Sequence, residues 1–175
     1  MKPLATTLAA GPWTLRRAGP QDLAALVGLQ HAAYARNREL LGVEPIPLMA
    51  DYRMVLAERE VWVLDGGTGL RAALILQPRS GDLVIESIAS EPASRGRGFG
   101  RALLAAAETR AGELGLATLR LYTGAPLGHL IAWYGRHGYA VERREALSDR
   151  EIVHMVKHLR PSEEDMTQCR ALPPT

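Results

Sequence analysis

Six residues, Arg95-Gly96-Arg97-Gly98-Phe99-Gly100, lie between a short apolar run and a strongly helical one. The run before them, Leu83-Val84-Ile85-Glu86-Ser87-Ile88-Ala89, is rich in β-branched residues and reads as a strand. The run after them, Arg101-Ala102-Leu103-Leu104-Ala105-Ala106-Ala107-Glu108, reads as a helix. A helix that begins in such a loop has N–H groups in its first turn with no internal partner, and its macrodipole favours negative charge there. Glycines let the backbone close around an anion without Cβ clashes. Arg95, Arg97 and Arg101 add cationic charge around the same spot. The segment therefore reads as a phosphate cradle; the alternative is a glycine-rich βα turn that binds nothing.

The spacing selects among phosphate ligands. A dinucleotide fingerprint needs glycines at relative positions one, three and six. Counting from Gly96 the sixth residue is Arg101, and counting from Gly98 it is Leu103. A Walker A loop needs Gly-Lys-Ser/Thr, which does not occur. The pattern Arg-x-x-Gly-x-Gly does occur, as Arg95, Gly98 and Gly100. It closely resembles the coenzyme A pyrophosphate loop of the GCN5-related N-acetyltransferase family.

At 175 residues the chain is long enough for one domain with a real core. Apolar and charged fractions of 47% and 23% are those of an ordinary soluble globular protein. A net charge of +2 argues against a general nucleic-acid or membrane binder. Cys169 is the single cysteine, so no internal disulfide forms and a reducing, cytoplasmic setting is expected. The first ten residues carry too short an apolar stretch and too little positive charge for a secretory leader, and no run approaches the roughly 20 apolar residues that span a bilayer. Residues 1–12 are expected to be a flexible extension, 13–159 a single domain and 160–175 a flexible tail.

Within that domain Trp13 to Arg17 reads as a first strand. Pro20 suits the opening of a helix whose apolar spacing runs through Leu23, Leu26, Val27, Ala33 and Tyr34. A looser stretch with Gly42 and Pro45-Ile46-Pro47 follows, then a second helix from Leu48 to about Arg59. Val61 to Leu64 and Arg71 to Leu76 flank Asp65-Gly66-Gly67-Thr68-Gly69, a hairpin signal. Gly115 fits a helix stop, with Leu116 as its following hydrophobic. Thr118 to Tyr122 is a fifth strand, Pro126 to about His137 a short helix closed by Gly138, and Tyr139 to Ala146 and Ile152 to Leu159 the last two strands.

The resemblance to the acetyltransferase family extends over roughly residues 13–159. Leu121-Tyr122-Thr123 is similar to the family's fifth strand. Trp133-Tyr134-Gly135-Arg136-His137-Gly138-Tyr139 is similar to its Tyr-x-x-x-Gly-aromatic segment, and Val153 to Lys157 to its closing strand. The resemblance implies an α+β fold, with a mixed, mostly antiparallel sheet of six to seven strands and helices on both faces, the acyl-CoA N-acyltransferase fold. It implies acetyl-CoA as cosubstrate, held by residues 95–101 (Arg95, Gly96, Arg97, Gly98, Phe99, Gly100 and Arg101) and by the backbone of Ile88, Ala89 and Ser90. It also implies a bulge in the strand of residues 83–89. Members of the family are often homodimers; the sequence shows no interface stripe that decides the matter here.

Amide formation from a thioester needs a proton acceptor for the amine, a donor facing the carbonyl oxygen and a proton for the departing thiolate. Tyr134 is the candidate acid. It shares an apolar helix face with Leu127, Leu130 and Ile131, and by resemblance it matches the family tyrosine beside the coenzyme A sulfur. A core tyrosine capping a backbone carbonyl is the alternative. Glu86 is the candidate base, an acid within an apolar strand, which is costly unless partnered or functional; a place on an exposed face or pairing with an arginine is its alternative. Tyr34, Asp51 and Tyr52 fall in the early helices, which by resemblance line the cleft for a small-molecule or peptide amine. The family's asparagine in the helix before its tyrosine has no counterpart, and His129 stands nearby. No grouping has metal-ligand spacing, so no metal is expected. The rival functions are a non-catalytic acyl-CoA sensor on the same fold and a nucleotide or sugar-phosphate enzyme using the same loop.

Overall fold

Hairpin chemistry builds the first half of the sheet. In the computed structural model, which describes residues 13–159, β1 (Thr14–Arg17), β2 (Glu60–Asp65), β3 (Leu70–Pro78) and β4 (Leu83–Ser90) pair antiparallel in succession. Asp65 closes the β2–β3 turn, its Oδ1 accepting the Gly67 N–H at 2.8 Å where Gly67 has φ +75°. The expected terminal extensions and Cys169 lie outside the described residues. β4 is followed across the sheet by β5 (Thr118–Gly124), β7 (Glu151–His158) and β6 (Ala140–Ala146), which completes a 7-stranded sheet in the order β1-β2-β3-β4-β5-β7-β6.

Only the β4–β5 pair is parallel, because α3 (Phe99–Glu113) crosses over between them. That pair is short. Leu83, Val84 and Ile85 register with Leu119, Arg120 and Leu121, and pairing stops there although both strands continue. A bulge marks the point: Ile75 of β3 opposes Ser87, but Leu76 opposes Ile85, so Glu86 has no partner. Beyond it β4 and β5 part, and the sheet is open between them.

Each face of the sheet has its own core. On one, Leu103, Leu104 and Ala107 of α3 pack on Leu74, Ile85 and Leu121, with α4 (Gly128–Arg136) adding Ile131 and Tyr134. On the other, Leu26 and Leu29 of α1 (Leu23–Leu41) and Tyr52 of α2 (Tyr52–Glu58) pack on Val61, Val63 and Ile75. Each fully buried leucine contributes about 1.5–3 kcal/mol relative to exposure. The end of α3 follows the expected stop: Gly115 has φ +68°, and the Leu116 N–H reaches the Ala111 carbonyl at 2.8 Å.

Three boundaries differ most from the sequence reading. α1 runs past Tyr34 to Leu41, where Gly42 at φ +67° ends it; residues 35–40 lost the apolar period because much of this last stretch faces solvent. The second helix does not start at Leu48. A 3-10 turn covers Ile46–Met49, Ala50 is extended, and α2 begins after Asp51, whose side chain accepts the Arg53 N–H. α4 begins at Gly128 rather than Pro126, since the Leu127 N–H closes a turn on the Gly124 carbonyl. Among the described residues no helix is long and apolar enough to cross a membrane.

Candidate active site

The start of α3 presents a row of donors. The N–H groups of Arg95 and Arg97 are spent on the Pro92 and Ser94 carbonyls, at 3.2 and 3.3 Å. Those of Gly96, Gly98, Phe99, Gly100 and Arg101 have no backbone partner among the described residues, and Ala102 is the first to be taken, by the Gly98 carbonyl at 3.0 Å. Gly96 and Gly98 have φ +81° and +80°, a conformation that side chains resist, and nothing lies within 4 Å of where either Cβ would stand. That open space is what an approaching anion requires. Glu91 holds the loop in place: its carboxylate accepts from Arg71 at 2.6 Å and from the Ser94 hydroxyl at 3.0 Å. Phe99 contributes only its N–H, because its ring is buried edge-on against Trp13. Arg95, Arg97 and Arg101 are exposed around the loop.

One cavity of about 510 Å³ joins this loop to the opposite face of the sheet through the gap between β4 and β5. At one mouth stand Arg95, Gly100 and the α4 residues His129, Trp133 and Arg136; at the other stand Tyr34 and its neighbours on α1, residues 45–47, and residues 150–152. Gly100 is glycine because of a close approach, since a Cβ there would sit 3.3 Å from the Trp133 ring. Between the mouths lie Glu86, Ile88, Ser90, Tyr122 and Tyr134. From Glu86 onward the edge of β4 that faces β5 has no strand partner, so its backbone is free to pair with an extended ligand. Ala89 is buried and does not line the cavity.

The phenols in the gap are held protonated. Burial pushes Tyr134 well above the ordinary tyrosine range, with nearby Tyr34 adding to it. Burial likewise raises Tyr122 to about 12, helped by Tyr34 and the Glu86 carboxylate. Tyr34 is raised by burial as well, and its hydroxyl lies 3.1 Å from that of Ser87. Ser87 in turn donates to the buried Gln30 side-chain carbonyl at 3.0 Å. With the serine proton directed at Gln30, Tyr34 is the donor to Ser87, which leaves lone pairs on the Tyr34 oxygen.

Glu86 occupies the bulge and is paired with an arginine, the alternative the sequence left open. Arg59 Nε donates to both carboxylate oxygens, at 3.0 and 3.1 Å. A single N–H shared by two oxygens uses a small part of a carboxylate's acceptor capacity, so Glu86 can still receive a donor from the cavity.

The other candidate residues separate. Tyr34 lines the cavity. Asp51 is exposed, caps α2 and is not among the lining residues. Tyr52 is also outside the lining; it is buried and donates its hydroxyl to the Pro47 carbonyl at 2.8 Å, which fixes the turn that bears Ile46 and Pro47. Among the described residues there is no group of three metal-ligating side chains. The sequence reading missed Tyr122, Arg59 and Trp133. Alternation with the buried Leu119 and Leu121 placed Tyr122 on the opposite face of β5 and was a usable signal. Nothing local links Arg59 to Glu86, 27 positions away.

Comparison with known proteins agrees with this architecture. Residues 30–139 match the model of the acetyltransferase (GNAT) family. No curated protein matches the chain. Among solved structures, the ribosomal-protein-S18-alanine N-acetyltransferase from Escherichia coli superposes with TM-score 0.69 at 20% identity, over 86% of this chain and 96% of that one. The PaiA N-acetyltransferase from Thermoplasma acidophilum in complex with coenzyme A gives TM-score 0.67 at 15% identity, over 83% and 98%. A GNAT family acetyltransferase from Elizabethkingia anophelis with acetyl-CoA bound gives TM-score 0.61 at 15% identity, over 86% and 100%. A strand-bulge gap, a donor-rich helix start and a matching family model meet on the same residues: the chain belongs to the acetyltransferase (GNAT) family.

Proposed function

We propose that the protein transfers the acetyl group of acetyl-CoA to a primary amine by direct attack within a ternary complex. The observation that carries this reading is the continuous cavity that runs from the α3 donor row, past Tyr134 and Glu86, to the opposite face of the sheet. The diphosphate would lie on the N–H groups of residues 96–101, with Arg95, Arg97 and Arg101 around it. The pantetheine arm would pair with the free edge of β4 at Ile88 to Ser90. The acyl group then comes to the bulge.

The chemistry asks little more. The amine loses a proton, its nitrogen bonds to the carbonyl carbon, the carbon–sulfur bond breaks, and the sulfur ends as a thiol. Glu86, directly or through water, takes the amine's proton, and the Tyr134 phenol supplies one to the sulfur and is reprotonated from solvent, to which Glu86 releases the proton it took. A tyrosine kept protonated by burial suits that second role. The described residues place no cysteine in the cavity that would form an acyl-enzyme.

Purified protein with acetyl-CoA and a panel of amines tests the reading by release of free thiol. Thiol released in step with acetylated amine supports it. Binding of acetyl-CoA without transfer to any amine would favour a sensor module instead, a role in which the Arg59–Glu86 pair is purely structural. Glu86→Gln is expected to lower kcat by about 10²-fold or more with the KM for acetyl-CoA unchanged. An unchanged kcat assigns the base to another group.

A further inference from the structure

The charges at the acceptor mouth narrow the class of amine, given the acetyl-transfer reading above. Two carboxylates line the cavity, Glu86 and Glu151. Glu86 is shared with Arg59, and Glu151 is exposed and 3.6 Å from Arg144. Cations at the same mouth are Arg36 and Arg150. Arg150 is committed to Asp149 and to the Glu44 carbonyl, and Arg38, near Arg36 on α1, to Glu44. Arg36 has no ion-pair partner among the described residues. Its neighbour Asn37 also lines the cavity, and its carboxamide likewise has no hydrogen-bond partner among them. A guanidinium and an amide N–H₂ that both line the cavity and are unspent supply two donors for a carboxylate. The walls of the same cavity also include Leu41, Pro45, Ile46 and Ile152, all apolar.

We infer that the acceptor is a zwitterionic amine with an apolar body, its ammonium directed at Glu86 and Tyr34 and its carboxylate held by Arg36 and Asn37. A polycation such as a polyamine or an aminoglycoside would leave its further charges beside Arg36 and Arg150 with too few carboxylates to receive them. A second cavity of about 430 Å³ shares Ile46, Tyr122 and Ile152 with the first and contains Arg79, whose side chain is bonded only to the Gln77 carboxamide. It is the competing location for the acceptor's anion and supplies the control.

The experiment compares leucine and phenylalanine with their amides, with the decarboxylated amines and with spermidine, by kcat/KM at fixed acetyl-CoA. Amidation lowers the basicity of the neighbouring amine, so on proton loss alone the amides would react faster. A preference for the free acids must then come from binding. The expected result is a preference of about tenfold or more for the acids, the equivalent of one charge-assisted contact. Arg36→Gln should abolish that preference through KM for the acids, leaving kcat and the amide kinetics in place, while Arg79→Gln should not change it. Spermidine or the amides as preferred acceptors, loss of the preference in Arg79→Gln instead, or binding of acetyl-CoA with no turnover of any member would overturn the inference while leaving the cosubstrate site standing. Failure of acetyl-CoA to raise the melting temperature would instead remove the acetyl-transfer reading, and the inference with it.

Discussion

The two mouths of the cavity are built on opposite plans. The donor row of the mouth at α3 is made of consecutive residues, main-chain N–H groups made available by two glycines at positive φ, with α4 side chains standing opposite. The mouth at α1 is assembled from segments more than a hundred residues apart, and its groups are side chains: Tyr34, Arg36, Asn37 and the turn at 150–152. The first plan tolerates most changes of side chain but not a β-carbon at the wrong place. The second tolerates backbone variation but depends on each side chain. A cosubstrate shared across a family suits the first plan, and an acceptor particular to one protein suits the second.

The sharpest way to break this contrast is Gly98→Val. A β-branched residue at φ +80° carries strain of about 1–3 kcal/mol and places bulk in the space left for the anion. Losing two charge-assisted contacts of about 1.5 kcal/mol each raises the coenzyme A dissociation constant roughly a hundredfold. Titration calorimetry with coenzyme A measures it, and circular dichroism checks that the fold persists. Unchanged affinity would show that the backbone at Gly98 is no part of the cradle.

Tyr134→Phe comes next and tests the middle of the cavity, where the two plans meet. Removal of a general acid costs about 10²-fold or more, but a thiolate with a reference pKa of about 8.5 leaves tolerably without help. A fall in kcat of about tenfold to a hundredfold is therefore expected, with the KM for acetyl-CoA unchanged. The sign of the pH dependence follows from burial. The phenol is held above its ordinary value, so it stays protonated as pH rises to about 10, and no loss of rate below that pH is due to its ionisation. An unchanged rate in the variant would take Tyr134 out of the mechanism.

The same contrast explains what could be read from the amino-acid order. The cradle was legible because its parts are contiguous: glycine spacing, flanking arginines and the switch from strand to helix lie within residues 83–108. The succession of strands and helices along the chain followed from local hairpin and periodicity signals, and Gly115 and Gly138 stopped their helices where positive φ was needed; the place of β7 between β5 and β6 did not. The bulge in β4 was expected only through resemblance and the gap beyond it was not read at all, because a bulge at Glu86 is a matter of register against β3, and register is tertiary. The mouth at α1 was least legible. Asp51 and Tyr52 had suitable chemistry in a suitable segment, yet one spends its carboxylate on a helix cap and the other its hydroxyl on Pro47. Polar residues near an expected site serve local structure as readily as substrate, and only the hydrogen-bond accounting tells which.

Asp51→Ala carries the smallest expected effect and tests that distinction directly. The Asp51 carboxylate accepts the Arg53 N–H at 2.9 Å, and α2 is only 7 residues long. Removing an N-cap costs about 0.5–2 kcal/mol, here from a helix whose buried Tyr52 anchors Pro47. A lower urea midpoint with an unchanged slope should record that loss. The KM for the preferred amine should stay where it was, because the side chain does not reach the cavity and the cap acts on the population of folded protein rather than on the bound state. Asn retains an oxygen that accepts the same N–H, so Asp51→Asn should recover most of the stability. A KM that rises in both variants while the urea midpoint holds would make Asp51 an acceptor ligand after all, and would draw the acceptor mouth as far as the start of α2.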